Sequence, residues 1–174
     1  MLKIALTGGI GTGKTYISRL FIEMGIPVFY ADDEAKKLYT DKKVKEAIYE
    51  LFGENVFTES ELDFRKMSNH IFSNFGHIAK INALIHPLII EKFEEWILRQ
   101  NAKTVILESA IIYEAHLESH FDKIFVVDAP LEICIERIRK RNMEWSEQDI
   151  LKRIQAQWPQ KEKCKRADLI ILNV

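Results

Sequence analysis

The chain is short of several things. It has 2 cysteines in 174 residues. Cys134 and Cys164 stand far apart without a C-x-x-C spacing, which points to neither a disulfide framework nor zinc. Excess charge is missing too: the formal net charge is −1, so no global positive field draws the chain to nucleic acid or an anionic membrane. No apolar run approaches the length that spans a bilayer, and the first residues pass straight into a strand pattern. Internal repeats and low-complexity segments are absent. These absences predict a soluble, cytoplasmic protein, a monomer or small homo-oligomer without nucleic-acid or membrane partners. An apolar content of 47% and a charged content of 29% are ordinary for one globular domain.

What is present is a regular alternation. Five short runs read as buried strands: Leu2–Thr7, Pro27–Tyr30, Thr104–Ser109, Lys123–Asp128 and Asp168–Asn173. They are rich in Ile, Val, Leu and Phe and lack polar alternation, as parallel strands covered on both faces should. Helical stripes lie between them. Ile17, Leu20, Phe21 and Met24 form one, closed by Gly25 as a C′ residue. Leu131, Cys134, Ile135 and Ile138 form another. Ile150, Leu151, Ile154 and Trp158 form a third, with Ser146 as N-cap and Pro159 as a break or kink. The pattern predicts an α/β fold with a doubly wound, parallel, five-stranded sheet and right-handed crossovers.

One connection is too long for a single crossover. The stretch from about 32 to 103 carries three further apolar series: Val44, Ala47, Ile48 and Leu51; Phe64, Met67 and Ile71; Ile89, Phe93 and Ile97. An all-helical insertion is expected there, with core segments 1–31 and 104–174 on either side. Beside the ligand edge of such a sheet it would either cover a second substrate or merely add packing.

Gly8-Gly9-Ile10-Gly11-Thr12-Gly13-Lys14-Thr15 fits G-x-x-x-x-G-K-[ST], between a hydrophobic strand and an amphipathic helix. Glycines admit conformations and close approaches that a Cβ would block, so the loop's N–H groups can converge on phosphate oxygens at a helix N-terminus. Lys14 is placed to reach the β- and γ-phosphates of ATP, and the Thr15 hydroxyl to ligate Mg²⁺. Gly9, Gly11, Thr12, Gly13 and Tyr16 complete the expected nucleotide contacts. The bland alternative is a tight turn with an exposed lysine. Neither N-K-x-D nor D-x-x-G occurs, which argues against a GTPase switch, and a small kinase with a separate acceptor site suits the length.

Phosphoryl transfer also needs an oriented acceptor and cations for developing charge. Asp32 and Asp33 follow the second strand, and either could orient a hydroxyl or simply cap a helix. Arg137 and Arg141 lie one helical turn apart and would form a lid, about 137–150, that grips polyphosphate; the alternative is a solvated basic face.

Taken together, these residues resemble the dephospho-coenzyme A kinase family. The likeness rests on "TGGIGTGKT", "ADDEAKKL", "LDFRKMSNHIF", "INALIHPLI", "FVVDAPLEICIERIRKR" and "RIQAQ…KCKRADLIILN", in that order across essentially the whole chain. It implies transfer of the γ-phosphoryl of ATP to the ribose 3′-hydroxyl of dephospho-coenzyme A, on a P-loop kinase fold with a helical acceptor-binding region and a lid. It implies Asp32, Lys14 and Arg137 as catalytic residues. Asp32, Arg65, His86 and Pro87 would bind the acceptor, and Arg141 the nucleotide. Gln157, Lys163, Asp168 and Asn173 match the family's closing pattern, in part structural and in part adenine-side. Tyr30 departs from the family, which has an Asp there. So do Glu108 and Ser109, where Glu108 would serve either metal-bound water or a helix N-terminus. Family members also continue with another helix beyond the point where this sequence stops. The rival readings are a nucleoside or nucleotide kinase and a nucleotide-dependent switch.

Overall fold

The computed structural model describes residues 1–59, 61–72 and 75–174. In chain order its elements are β1 (Leu2–Thr7), α1 (Lys14–Glu23), β2 (Val28–Tyr30), α2 (Ala31–Leu38), α3 (Lys42–Phe52), β3 (Phe57–Thr58), β4 (Glu61–Leu62), α4 (Phe64–Phe72), α5 (Phe75–Ile97), β5 (Thr104–Glu108), β6 (Lys123–Asp128), α6 (Leu131–Arg141), α7 (Glu147–Gln155), α8 (Gln160–Arg166) and β7 (Leu169–Leu172). Among the described residues, no helix is long and apolar enough to cross a membrane. Two compact units emerge: Met1–Tyr30 with Trp96–Val174, and Ala31–Glu95.

The first unit is built on one sheet in the order β2-β5-β1-β6-β7. Every pairing is parallel; Leu6 of β1 stands beside Glu108 of β5 and Phe125 of β6. The five strands fall where their uninterrupted apolar runs predict, because each central strand is covered on both faces. Ile4, Leu6, Ile106 and Val127 form a core with Ile17 of α1, and Phe21, Val28, Phe125 and Ile171 pack around it. The helix α1 closes at Met24, and Gly25 takes the left-handed φ of +79° expected of a C′ residue. Ser146 caps α7 in a full capping box with Asp149. The apolar series Ile150, Leu151, Ile154, Trp158 is longer than its helix, however: α7 stops at Gln155, and Pro159 is the N-cap of α8. Trp158 is held in the turn instead, stacked on Tyr113 with ring centroids 6.0 Å apart and with the Arg166 guanidinium 4.8 Å from its own centroid. Both cysteines are free, Cys134 buried in α6 and Cys164 half-buried in α8. Leu169, Ile170 and Leu172 of β7 are exposed.

The second unit holds α2, α3, α4 and most of α5. The predicted helical series are there, but the stretch is not all-helical: β3 and β4 pair antiparallel as a two-residue hairpin. Strands that short have no room for a period that a sequence could display. Val44, Ile48, Phe52, Met67, Ile89 and Phe93 are buried, whereas the side chain of Ile71 lies outside the described residues. Asp63 caps α4, accepting from the backbone N–H groups of Arg65 and Lys66 at 2.9 and 3.0 Å.

Candidate active site

The glycine-rich loop joins β1 to α1 and belongs wholly to the first unit. Its geometry needs glycine at two positions above all. Gly13, the N-cap of α1, has φ +90°, and a Cβ there would strike the Asn173 amide nitrogen. Gly11 has φ +86°, and its Cβ would lie 2.7 Å from the carbonyl oxygen of Cys134 in α6. The loop thus passes flush against α6, where a larger residue has no room.

The Lys14 ammonium bends back over the loop and donates to the carbonyls of Gly8 and Gly9 at 2.9 and 3.2 Å. Its side chain is buried although charged, so a cation is fixed on the carbonyl side of the loop. The Thr15 hydroxyl points to the neighbouring strand end, 3.4 Å from Glu108 Oε2. Glu108 is itself buried, and the parallel register sets it between Leu6 and Tyr30. Hard oxygens from a loop threonine and a strand-end carboxylate suit Mg²⁺, which keeps several waters and needs few protein ligands. No helix begins at Glu108; the residues after it run in turns. Tyr16, in the first turn of α1, is 58% exposed.

The outer side of the loop is held by distant residues. Arg137 donates to the carbonyls of Thr12 and Asn173 at 3.3 and 3.1 Å, and the Asn173 side chain donates to the same Thr12 carbonyl at 2.9 Å. Gly9 N–H donates to Gln160 Oε1 and Ile10 N–H to Gln157 Oε1, both at 2.8 Å. Arg141, four residues beyond Arg137, is exposed and donates to Asn142 Oδ1 at 3.2 Å. Asp168 is spent on structure: it accepts from Lys123 Nζ and from Ile124 N–H, both at 2.8 Å. Lys163 is fully buried, paired with Glu114 at 2.7 Å and donating to the Ala110 carbonyl at 2.7 Å. Burial lowers the Lys163 pKa, and the Glu114 charge pulls the other way. Beside the loop lies a cavity of about 630 Å³, mostly apolar, lined by Ile10, Leu131, Cys134, Ile154, Trp158 and Ile170 among others. Gln160 and the Thr15–Glu108 contact were not singled out by the sequence; a glutamine that bonds to main chain leaves no spacing to recognise.

The remaining candidates fall in the second unit. Asp32 is the second residue of α2, in an acidic first turn with Asp33 and Glu34 that complements the helix dipole. Asp33 is paired with Lys36 at 2.9 Å. Burial raises the pKa of Tyr39, and the Asp32 charge adds to the rise. Arg65 lies exposed in the first turn of α4. His86 and Pro87 are inside α5. Pro87 cannot donate to the carbonyl of Ala83 one turn back. Burial lowers the pKa of His86 from 6.5 to about 4, so the imidazole is neutral at pH 7. Among the described residues no group of three or more His, Cys, Asp or Glu could hold a metal ion.

Residues 2–174 match the profile of the dephospho-CoA kinase family. The chain belongs to that family. It is thereby a kinase, phosphorylating dephospho-CoA with ATP in coenzyme A biosynthesis. Among curated relatives it is similar to the dephospho-CoA kinase of Bacteroides fragilis strain YCH46, 37% identical over 174 residues that cover 99% of this chain and 84% of the relative. Among solved structures it resembles a Thermus thermophilus protein, with a TM-score of 0.88 and 31% identity over 99% of this chain and 88% of that one. The dephospho-CoA kinase of Campylobacter jejuni shares the fold, with a TM-score of 0.66 at 24% identity over 99% of this chain and 88% of its own.

Proposed function

We propose that the chain transfers the γ-phosphoryl group of ATP to the ribose 3′-hydroxyl of dephospho-CoA, with the nucleotide phosphates on the Gly8–Thr15 loop and the acceptor on the Ala31–Glu95 unit. The observation that carries this reading is the Lys14 ammonium held on the Gly8 and Gly9 carbonyls, with the Thr15 hydroxyl beside Glu108. A fixed cation at a helix N-terminus is what a phosphoryl group developing charge requires.

In this scheme Gly9, Gly11, Thr12, Gly13, Lys14, Thr15 and Tyr16 bind ATP. Arg137 supplies a second cation, and Arg141 reaches the polyphosphate from the lid. Asp32 takes the proton from the acceptor hydroxyl as its oxygen bonds to the γ-phosphorus and the bond to the β-phosphate oxygen breaks. Asp32 is chosen over Asp33 because the family resemblance falls on Asp32, the second residue of α2. Arg65, His86 and Pro87 bind the acceptor, and a neutral His86 offers it a hydrogen-bonding ring without charge. Thr15 and Glu108 would hold Mg²⁺, which when bound neutralises developing phosphate charge. A cytoplasmic monomer or small homo-oligomer acting on small molecules, away from nucleic acid and membranes, is the accompanying proposal.

Release of ADP, coupled to a spectrophotometric readout, tests the reading with dephospho-CoA, with nucleosides and with no acceptor. Acceptor-dependent release with dephospho-CoA alone is expected. Equal release with nucleosides, or without acceptor, refutes it.

A further inference from the structure

The bonds that Gln157 and Gln160 make to the loop have a counterpart on the opposite side of the same peptide groups. The Gly8 carbonyl and the Gly9 N–H belong to one peptide plane; the Gly9 carbonyl and the Ile10 N–H belong to the next. In a trans peptide the C=O and N–H point in opposite directions. On one side, both carbonyls accept from Lys14 Nζ, at 2.9 and 3.2 Å. On the other, both N–H groups donate to glutamine oxygens, each at 2.8 Å. Each glutamine therefore fixes the tilt of a plane whose far end holds the Lys14 ammonium. We infer that Gln157 and Gln160 are positioning residues for Lys14, acting through the 8–9 and 9–10 peptide groups.

The segment that carries them is built to be stiff. Gln160 is held at its other end, since its Nε2 donates to the Val127 carbonyl at 3.0 Å. That bond fixes which end of the amide faces the loop. Between the two glutamines, Trp158 N–H donates to Glu114 Oε1 at 2.9 Å, and the same carboxylate pairs with buried Lys163 at 2.7 Å. Within the loop, the Thr12 hydroxyl steadies the 9–10 plane by donating to the Gly9 carbonyl at 2.9 Å. Gly8 and Gly9, which flank the 8–9 plane, offer no side chain to lock it. Without an acceptor outside, the 8–9 plane above all can turn and carry its carbonyl away from Lys14.

The inference rests on the loop being the phosphate site, and the test separates the two. Gln157→Met and Gln160→Met remove the acceptors at nearly constant volume; Gln157→Glu restores one. Amide exchange of Gly9 and Ile10 is measured by NMR without nucleotide, alongside kcat and both KM values. In the Met variants the amide facing the lost acceptor should exchange about tenfold faster. Turnover should fall about three- to tenfold, the scale of one lost hydrogen bond. The KM for dephospho-CoA should be unchanged. Gln157→Glu should restore slow exchange at Ile10. Unchanged exchange, faster exchange with unchanged turnover, or an equal loss in both substrates' KM would each overturn the proposal. Unchanged turnover in Lys14→Ala would instead sink the phosphate-site reading, while leaving the exchange result in place.

Discussion

At the scale of single residues, two carboxylates and a histidine separate cleanly. Asp32→Asn should lower kcat by about 10²–10⁴-fold with little change in either KM, since a general base acts on the chemical step. Asp33→Asn should cost little, because Asp33 only completes an exposed pair with Lys36. Steady-state kinetics of the two variants check this, and a larger loss in Asp33→Asn would reverse the assignment. His86 makes a prediction about stability. Its folded pKa of about 4 lies below the ordinary 6.5, so between these values the unfolded chain binds the extra proton. Stability should therefore be intact above pH 6.5 and decline as the pH falls towards 4. The contribution is about 1–2 kcal/mol after allowing for solvent that still reaches the ring. Urea midpoints at about pH 7 and about pH 4.5 should differ less in His86→Gln than in the parent; an equal difference would mean the ring does not titrate this way.

At the scale of elements, Lys163 ties α8 to the turn after β5 through a buried ion pair with Glu114 and a bond to the Ala110 carbonyl. Lys163→Met strands the Glu114 carboxylate in the interior and should cost about 3–5 kcal/mol. Adding Glu114→Gln removes the charge but keeps an oxygen for the Trp158 N–H, so the double variant should recover much of the loss in urea unfolding. If the single and double variants unfold alike, the pair is not what anchors α8. The elements also show what a sequence can and cannot reveal. Parallel strands were legible because covered strands such as Val105–Leu107 must be apolar on both faces. The capping box at Ser146 was half legible, the N-cap from its residue type and the reciprocal Asp149 bond only from geometry. The apolar interval outlasts α7 for a physical reason: Trp158 sits at a helical spacing, yet it packs against Tyr113 and Arg166 rather than in a continued helix.

For the whole molecule, the proposal divides labour between two units, and substrate-specific kinetics can test that division. Arg65→Ala in α4 should raise the KM for dephospho-CoA about tenfold and leave the KM for ATP unaltered, because the proposed charge-assisted contact to the acceptor's pyrophosphate would be lost. Isothermal titration of each substrate against the folded variant checks it; weakened ATP binding with normal acceptor binding would refute the assignment. The glycine-rich loop between β1 and α1 was readable at this scale because a motif of glycines, lysine and threonine carries its own spacing. That Arg137, Gln157, Gln160 and Asn173 bond to that loop was not readable. Its partners lie about 120 to 160 positions away and bond to its main chain, so neither local spacing nor the loop's own side chains announce them.

That mode of attachment also makes the loop instrumentable. Gln157 grips the Ile10 N–H, a group every amino acid except proline supplies, while the Ile10 side chain lines the apolar cavity of about 630 Å³. A fluorescent side chain can therefore be installed at this position, as in Ile10→Trp, without cutting the bond. The loop would then report optically on its own occupancy from a site that contributes no catalytic atom.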